Sequence, residues 1–219
     1  MFPVRVWFCK QDSAKYISHL DLNRLFTRAF NRSELNIWYT EGFNPHPFIT
    51  FALPLSLGQE SVCEIMDFKM NDHMPLNVIM DTLNNVLPPD IKILSAACPM
   101  LKAKEIGFAA YDVYLPIKDD NSIKNATEIL RNEEPLTVTK KTKSSETVVN
   151  LKEHLKISEK DIIIKKDSLL IKPLLPAGSE QNFNPNLIVQ GIENRLNEHF
   201  SFVKIVRKNI YDKKMQEFK

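Results

Sequence analysis

The chain has 219 residues, 43% of them hydrophobic and 26% charged, with a formal net charge of +2. That length and balance suit one large domain or two smaller ones with a sizeable core, and they exclude a chain disordered over most of its length. A net charge so close to zero supplies no strong overall field toward nucleic acid or membrane, so any basic partner surface has to be local.

No stretch of about 18 apolar residues occurs, and the opening MFPVRVWFCK lacks the pattern of a secretion signal. The protein is therefore read as cytoplasmic, with no membrane partner. Cys9, Cys63 and Cys98 stand far apart inside apolar segments, without CxxC pairs or zinc-ligand spacing, and read as buried free thiols. With 13 Pro and 5 Gly, the turns are built on proline, and glycine loops of the GxGxxG or GxxxxGK type are absent. No cofactor and no metal are expected.

In chain order, residues 3–9 alternate Val4, Val6 and Phe8 with Arg5 and Trp7, the period of a strand. Ser18 then caps a helix with Asp21 as its capping-box partner, and Leu22, Leu25, Phe26, Ala29 and Phe30 form its single apolar stripe. After an extended NIWYT come a loop, GFNPHP, a strand FITFALPL, a turn over residues 56–59 and a second strand, SVCEIMDFKM. Pro75 opens a helix through Leu87, Pro88 and Pro89 stop it, and IKILSAA is another strand. The succession strand, helix, two strands, helix, strand predicts a split βαβ unit.

Residues 99–108 read as a linker. Beyond them AAYDVYLPI, LTVTKK, DIIIK, SLLIKPLL and FVKIVRKNIY read as strands, with helices at SIKNATEILRN and from Pro185 to Asn197. Phe43, Asn44 and Pro45 recur as Phe183, Asn184 and Pro185, an echo consistent with duplication. The expected fold is α+β: two tandem ferredoxin-like domains, residues 1–100 and 109–212, each an antiparallel sheet with helices on one face, and a flexible tail over 213–219.

Arg24, Arg28 and Arg32 fall at i, i+4 and i+8 on the side of the first helix away from its apolar stripe. Such a row can track phosphates, which guanidinium groups bind bidentately; the competing reading is a solvated helix face. Two stretches could add basic surface. Residues 136–172 hold nine Lys against five acidic residues, and residues 199–219 six Lys or Arg against two.

His19, beside Tyr16, Ser18 and Asp21, reads as a partly buried structural histidine at the edge of the apolar face. His46 differs, being pinned between Pro45 and Pro47 in a loop whose start Gly42 frees. That loop presents Phe43, Asn44 and His46, groups able to hold a base, a peptide or a polar substrate group; the competing reading is a corner that merely turns the chain. Glu64 falls on the strand face of Val62, Met66 and Phe68, where a carboxylate needs a partner.

The strings YISHLDLNRLFTRAF and GFNPHPFITFALPLSLGQESVCEIMDF resemble a bacterial family described as radical-SAM-associated. Its members occur beside or fused to cobalamin-type radical SAM proteins, often near genes for ribonuclease E/G and ribosomal proteins. The shared pattern comprises Ser18, His19, Leu20, Asp21, Arg24 and Arg28, then Gly42 through Pro47, then Pro54, Leu55, Gly58, Ser61, Glu64 and Asp67. The resemblance implies a radical SAM partner; the chain lacks the CxxxCxxC of such an enzyme and could serve one only as an accessory.

Residues and resemblance together lead to an RNA-binding or adaptor protein linked to RNA processing or modification. Its binding set is Ser18, His19, Asp21, Arg24, Arg28, Gly42, Phe43, Asn44, His46 and Glu64, with the second-domain lysines completing a groove between the domains. The alternative is a metal-independent RNA endonuclease in which His19, Tyr16 or Lys10 supports attack of a 2′-hydroxyl on its phosphate by general acid–base chemistry.

Overall fold

Alternation at the N-terminus makes Phe2–Lys10 the strand β1, with Val4, Val6 and Phe8 fully buried on one face. The computed structural model describes residues 1–117, 119–141 and 146–219. It divides into two units, Met1–Ile106 with Glu217–Lys219, and Gly107–Gln216. Together they make a mixed α+β protein with antiparallel strands and, among the described residues, four α-helices. No described helix is long and apolar enough to cross a membrane.

In the first unit β1 is followed by a 3-10 turn (Asp12–Tyr16), α1 (His19–Ser33), β2 (Ile49–Phe51), β3 (Glu60–Met70), α2 (Leu76–Val86) and β4 (Ile91–Ala97). Strand order is β4-β1-β3-β2, and each neighbouring pair is antiparallel. The register sets Val4 opposite Phe68 and Val6 opposite Met66, so the period-two apolar positions of both strands share a face. Leu22, Phe26 and Phe30 of α1 and Ile79 and Leu83 of α2 pack on that face. Phe26 meets Phe8 edge-on with ring centroids 5.1 Å apart, and Phe30 meets Phe68 at 4.9 Å.

β2 is shorter than the strand read over residues 48–55. Its pairing with β3 ends after Phe51, and the chain then bends through Leu53 and Pro54, a residue with no N–H to continue a ladder. Gly58 sits at φ 81 in the turn before β3, a left-handed backbone that glycine adopts without steric cost.

Arg5 and Trp7 lie on the opposite face of β1, as the alternation implies, and that second face is covered as well. Arg5 is fully buried there. Its Nε and Nη2 donate to the two carboxylate oxygens of Asp67 at 2.7 and 2.8 Å. The remaining donors reach the carbonyls of Leu101 and Lys219 at 2.8 and 3.2 Å, and the guanidinium lies 4.9 Å from the ring centroid of Phe218. The last residues of the segment read as a flexible tail are thus packed: Phe218 is buried.

The second unit contains β5 (Ile106–Leu115), α3 (Asp120–Arg131), β6 (Thr137–Lys141), β7 (Glu146–Asn150), β8 (Ile162–Lys165), β9 (Ser168–Ile171), β10 (Leu174–Pro176), α4 (Asn186–Leu196) and β11 (Lys204–Asp212). Its strands run in the order β11-β5-β9-β8 with β10 also on β5, while β6 and β7 form a separate hairpin. Asp119 caps α3 by accepting from the Ser122 N–H at 2.8 Å. The echo of Phe43-Asn44-Pro45 does not occupy an equivalent place: the first copy precedes a strand, whereas Phe183-Asn184-Pro185 precedes α4. Phe183 is buried, stacked 4.3 Å from His154, while Phe43 is fully exposed.

The Arg5–Asp67 pair makes an asymmetric prediction. Asp67→Ala strands a guanidinium with no access to water, and is expected to cost about 3 kcal/mol in a urea melt. Arg5→Met leaves a carboxylate that is one-quarter exposed and can be hydrated, and is expected to cost clearly less.

Candidate nucleic-acid interface

Because the phenylalanines of α1 face the sheet, its arginine row faces away. Arg24, Arg28 and Arg32 line one groove of about 700 Å³ together with Ile17, Asp21, Leu25 and the end of α2, Val86-Leu87-Pro88. Four residues of helix rise about 6 Å, so the guanidinium groups step along the groove at roughly the separation of successive phosphates in an extended strand.

Each arginine is held differently. The Ser18 hydroxyl accepts from the Asp21 N–H at 3.1 Å and donates to its carboxylate at 2.7 Å, and the other Asp21 oxygen accepts from Arg24 at 3.1 Å. This chain Ser18–Asp21–Arg24 both caps the helix and positions the first guanidinium. The Ser18 hydrogen bond, followed by Arg24, holds the Asp21 carboxyl below its ordinary value of 3.8. Arg32 donates to the Val86 carbonyl at 2.8 Å, at the negative end of α2. Arg28, between them and exposed, has no hydrogen bond or ion pair among the described residues.

The GFNPHP loop borders the other flank of α1. Tyr39 donates its hydroxyl to Asn31 of α1 at 2.7 Å, and Asn31 lies about 20° around the helix from Arg24 on the side opposite Leu25. The loop closes on itself: the Thr40 N–H reaches the His46 carbonyl at 2.9 Å, and the His46 N–H reaches the Thr40 hydroxyl at 3.2 Å. His46 Nδ1 lies 3.0 Å from the Asn44 carbonyl. The same Nδ1 lies 3.2 Å from the Thr40 hydroxyl, so both partners of this nitrogen belong to the loop and Nε2 is left facing outward without a partner among the described residues. Gly42 enters the turn at φ 124, and Phe43 stands at the tip. Pro47 is buried and anchors the far side, followed by Phe48, whose ring with that of Trp38 brackets the Lys69 ammonium at 4.9 and 5.0 Å.

The remaining expected site residues separate. His19 was read as partly buried and hydrogen-bonded; it is exposed, without a hydrogen bond among the described residues, its ring edge-on to Phe51 at 5.1 Å. Tyr16 is also exposed, and the Lys15 ammonium lies 5.3 Å from its ring centroid. Lys10 is buried, with Nζ directed at the Lys15 carbonyl at 3.4 Å. Glu64 is buried as well, opposite Phe8 in the β1–β3 ladder.

Sequence reasoning missed that Lys10 and Glu64 belong with Gln59, Glu60 and Ser61, all at most 3% exposed. Lys15 reaches Glu60 at 3.5 Å. Lys10 pairs with Ser61 across the β1–β3 ladder, so this end of the pair carries buried charge of both signs, which burial requires to be balanced. The signal for it was the run QES ahead of an otherwise apolar strand. The expectation of buried thiols holds for Cys9; Cys63 is half-buried and Cys98 exposed. Among the described residues no group of three or more His, Cys, Asp or Glu is placed to hold a metal ion.

Residues 4–185 match the family described as uncharacterized protein conserved in bacteria, DUF2344. The chain belongs to this family. No curated protein matches it. Both the arginine row and the GFNPHP loop of this DUF2344 chain lie inside the matched region.

The Ser18–Asp21–Arg24 chain sets a titration. The folded carboxyl of Asp21 titrates lower than the unfolded one, so its contribution to stability is complete above 3.8 and fades as pH falls below that value, through the lowered folded value. In Ser18→Ala the Asp21 carboxyl followed by NMR is expected to titrate at higher pH than in the wild type.

Proposed function

We propose that the protein binds unpaired RNA along the arginine groove of its first unit, with the GFNPHP loop supplying an aromatic platform beside it. The observation that carries this reading is the groove itself. Three guanidinium groups at regular steps line one concavity, the central one without a hydrogen bond among the described residues, with a fully exposed phenylalanine on the adjoining turn. Guanidinium groups suit the sugar–phosphate strand, and an exposed ring accepts any base by stacking. His46 Nε2 and the exposed Asn44 add hydrogen-bonding groups for base edges, which single strands leave accessible.

The order β4-β1-β3-β2, with both helices on one face, supports reading the first unit as ferredoxin-like. The order β11-β5-β9 supports the same reading of the second. Such sheets serve RNA binding in other proteins, an analogy of fold rather than of site. The resemblance to radical-SAM-associated proteins suggests that the bound RNA is a substrate of a radical SAM enzyme, with this chain as its accessory in the cytoplasm. The nuclease alternative has less support, since Lys10 is buried and committed to a main-chain carbonyl.

Fluorescence anisotropy with a single-stranded RNA oligonucleotide tests the proposal. Binding is expected to weaken linearly in log K against log salt, and Arg24→Gln/Arg28→Gln to reduce the slope by about 0.7 for each phosphate that is no longer neutralised. Phe43→Ala is expected to cost about 1–3 kcal/mol. Equal binding by wild type and both variants would exclude the groove.

A further inference from the structure

In the second unit a cleft of about 730 Å³ is lined by three lysines from three separate segments, Lys156, Lys172 and Lys208. Ser158 and Tyr211 add hydroxyls, and Asp112 and Asp161 are the acidic members. The backbone fixes where the lysines start. Lys156 and Leu174 exchange two main-chain hydrogen bonds of 3.0 Å, the Lys172 N–H donates to the Asp161 carbonyl at 2.8 Å, and Lys208 lies within β11.

The charges are unevenly committed. Asp161 accepts from both the hydroxyl and the N–H of Ser158, closing a capping box, so its carboxylate serves the local turn. All three lysines are exposed, and none makes an ion pair among the described residues. Lys156 has only a ring partner, its ammonium 4.3 Å from the centroid of Phe108. Lys172 is close enough for its charge to help hold the Asp161 carboxyl low, behind the Ser158 hydrogen bonds. Three ammonium groups against two carboxylates around a concave site still focus positive potential onto whatever enters it, and they bind phosphate oxygens as point charges.

From this arrangement we infer that the cleft holds a small phosphorylated ligand by its phosphate chain. The phosphates meet Lys156, Lys172 and Lys208, and the Tyr211 hydroxyl donates to a remaining oxygen, the Ser158 hydroxyl being committed to Asp161. Asp112 repels a bare phosphate but accepts from sugar hydroxyls, which places it at the far end of a ligand such as a nucleoside triphosphate. This site uses none of the residues of the arginine groove and stands whether or not that groove binds RNA.

Titration calorimetry of the full chain with ATP and, in parallel, inorganic tripolyphosphate tests the inference. Both are expected to bind, with affinity falling as salt rises. Lys156→Gln and Lys208→Gln are each expected to weaken binding about tenfold, while Lys166→Gln, at an exposed turn outside the cleft, leaves it unchanged. A thermal melt of each variant separates loss of binding from loss of fold. Tighter binding of ATP than of tripolyphosphate identifies a nucleotide; equal binding identifies the phosphate chain alone. The inference is overturned if neither probe binds at millimolar concentration, or if folded Lys156→Gln and Lys208→Gln bind as the wild type does.

Discussion

Everything proposed for the first unit depends on how α1 is seated. Phe26 and Phe30 are buried against Phe8 and Phe68, and aromatic side chains of that size fix the rotation of a helix because no other face of it can fill the same space. Once the rotation is fixed, residues at i, i+4 and i+8 on the opposite side must point into solvent together. A core contact therefore creates the arginine groove, and the bend through Val86-Leu87-Pro88 supplies its second wall.

β1 carries the electrostatic counterpart of that constraint. Apolar residues of alternate parity face the helices, Lys10 and Glu64 are buried toward the end of the same strand pair, and Arg5 on the other face pairs with Asp67 under Phe218. Buried ion pairs add little net stability compared with apolar packing, but breaking one leaves an uncompensated charge. They make the register of β1 against β3 specific, since a slip of one residue would set charges against apolar partners on both faces at once. That register in turn holds Phe8 under Phe26.

The helices were readable from the sequence because their signals are local. Ser18 capping, the stripe from Leu22 to Phe30, and Pro75 before α2 each act within a few residues; α1 starts directly after Ser18, and α2 ends within one position of the reading from Pro75 through Leu87. The arginine row followed from the same periodicity. The fate of Arg5, by contrast, depends on Leu101, Phe218 and Lys219, residues far along the chain that cover what alternation alone reads as an outer face. His19 went the other way: helical angle placed it near Phe26 and Phe30, but at the first turn it is exposed and its ring meets Phe51 edge-on. The lysine cleft was legible only as a local excess of lysine, part of which, Lys143, lies outside the described residues. Nothing in the spacing of Lys156, Lys172 and Lys208 announces that backbone pairing brings them to one concavity. The match of Phe43-Asn44-Pro45 to Phe183-Asn184-Pro185 carried no structural equivalence, because three residues recur without the elements around them.

The proposed function requires RNA to lie along α1 with the GFNPHP turn beside it. Ultraviolet crosslinking of the purified chain to single-stranded RNA, followed by mass spectrometry of the crosslinked peptides, tests it directly. Crosslinks are expected at Phe43 or His46 and in peptides spanning residues 19–33. Efficient crosslinking confined to peptides outside the first unit, or none above an unrelated protein of equal charge, would contradict it.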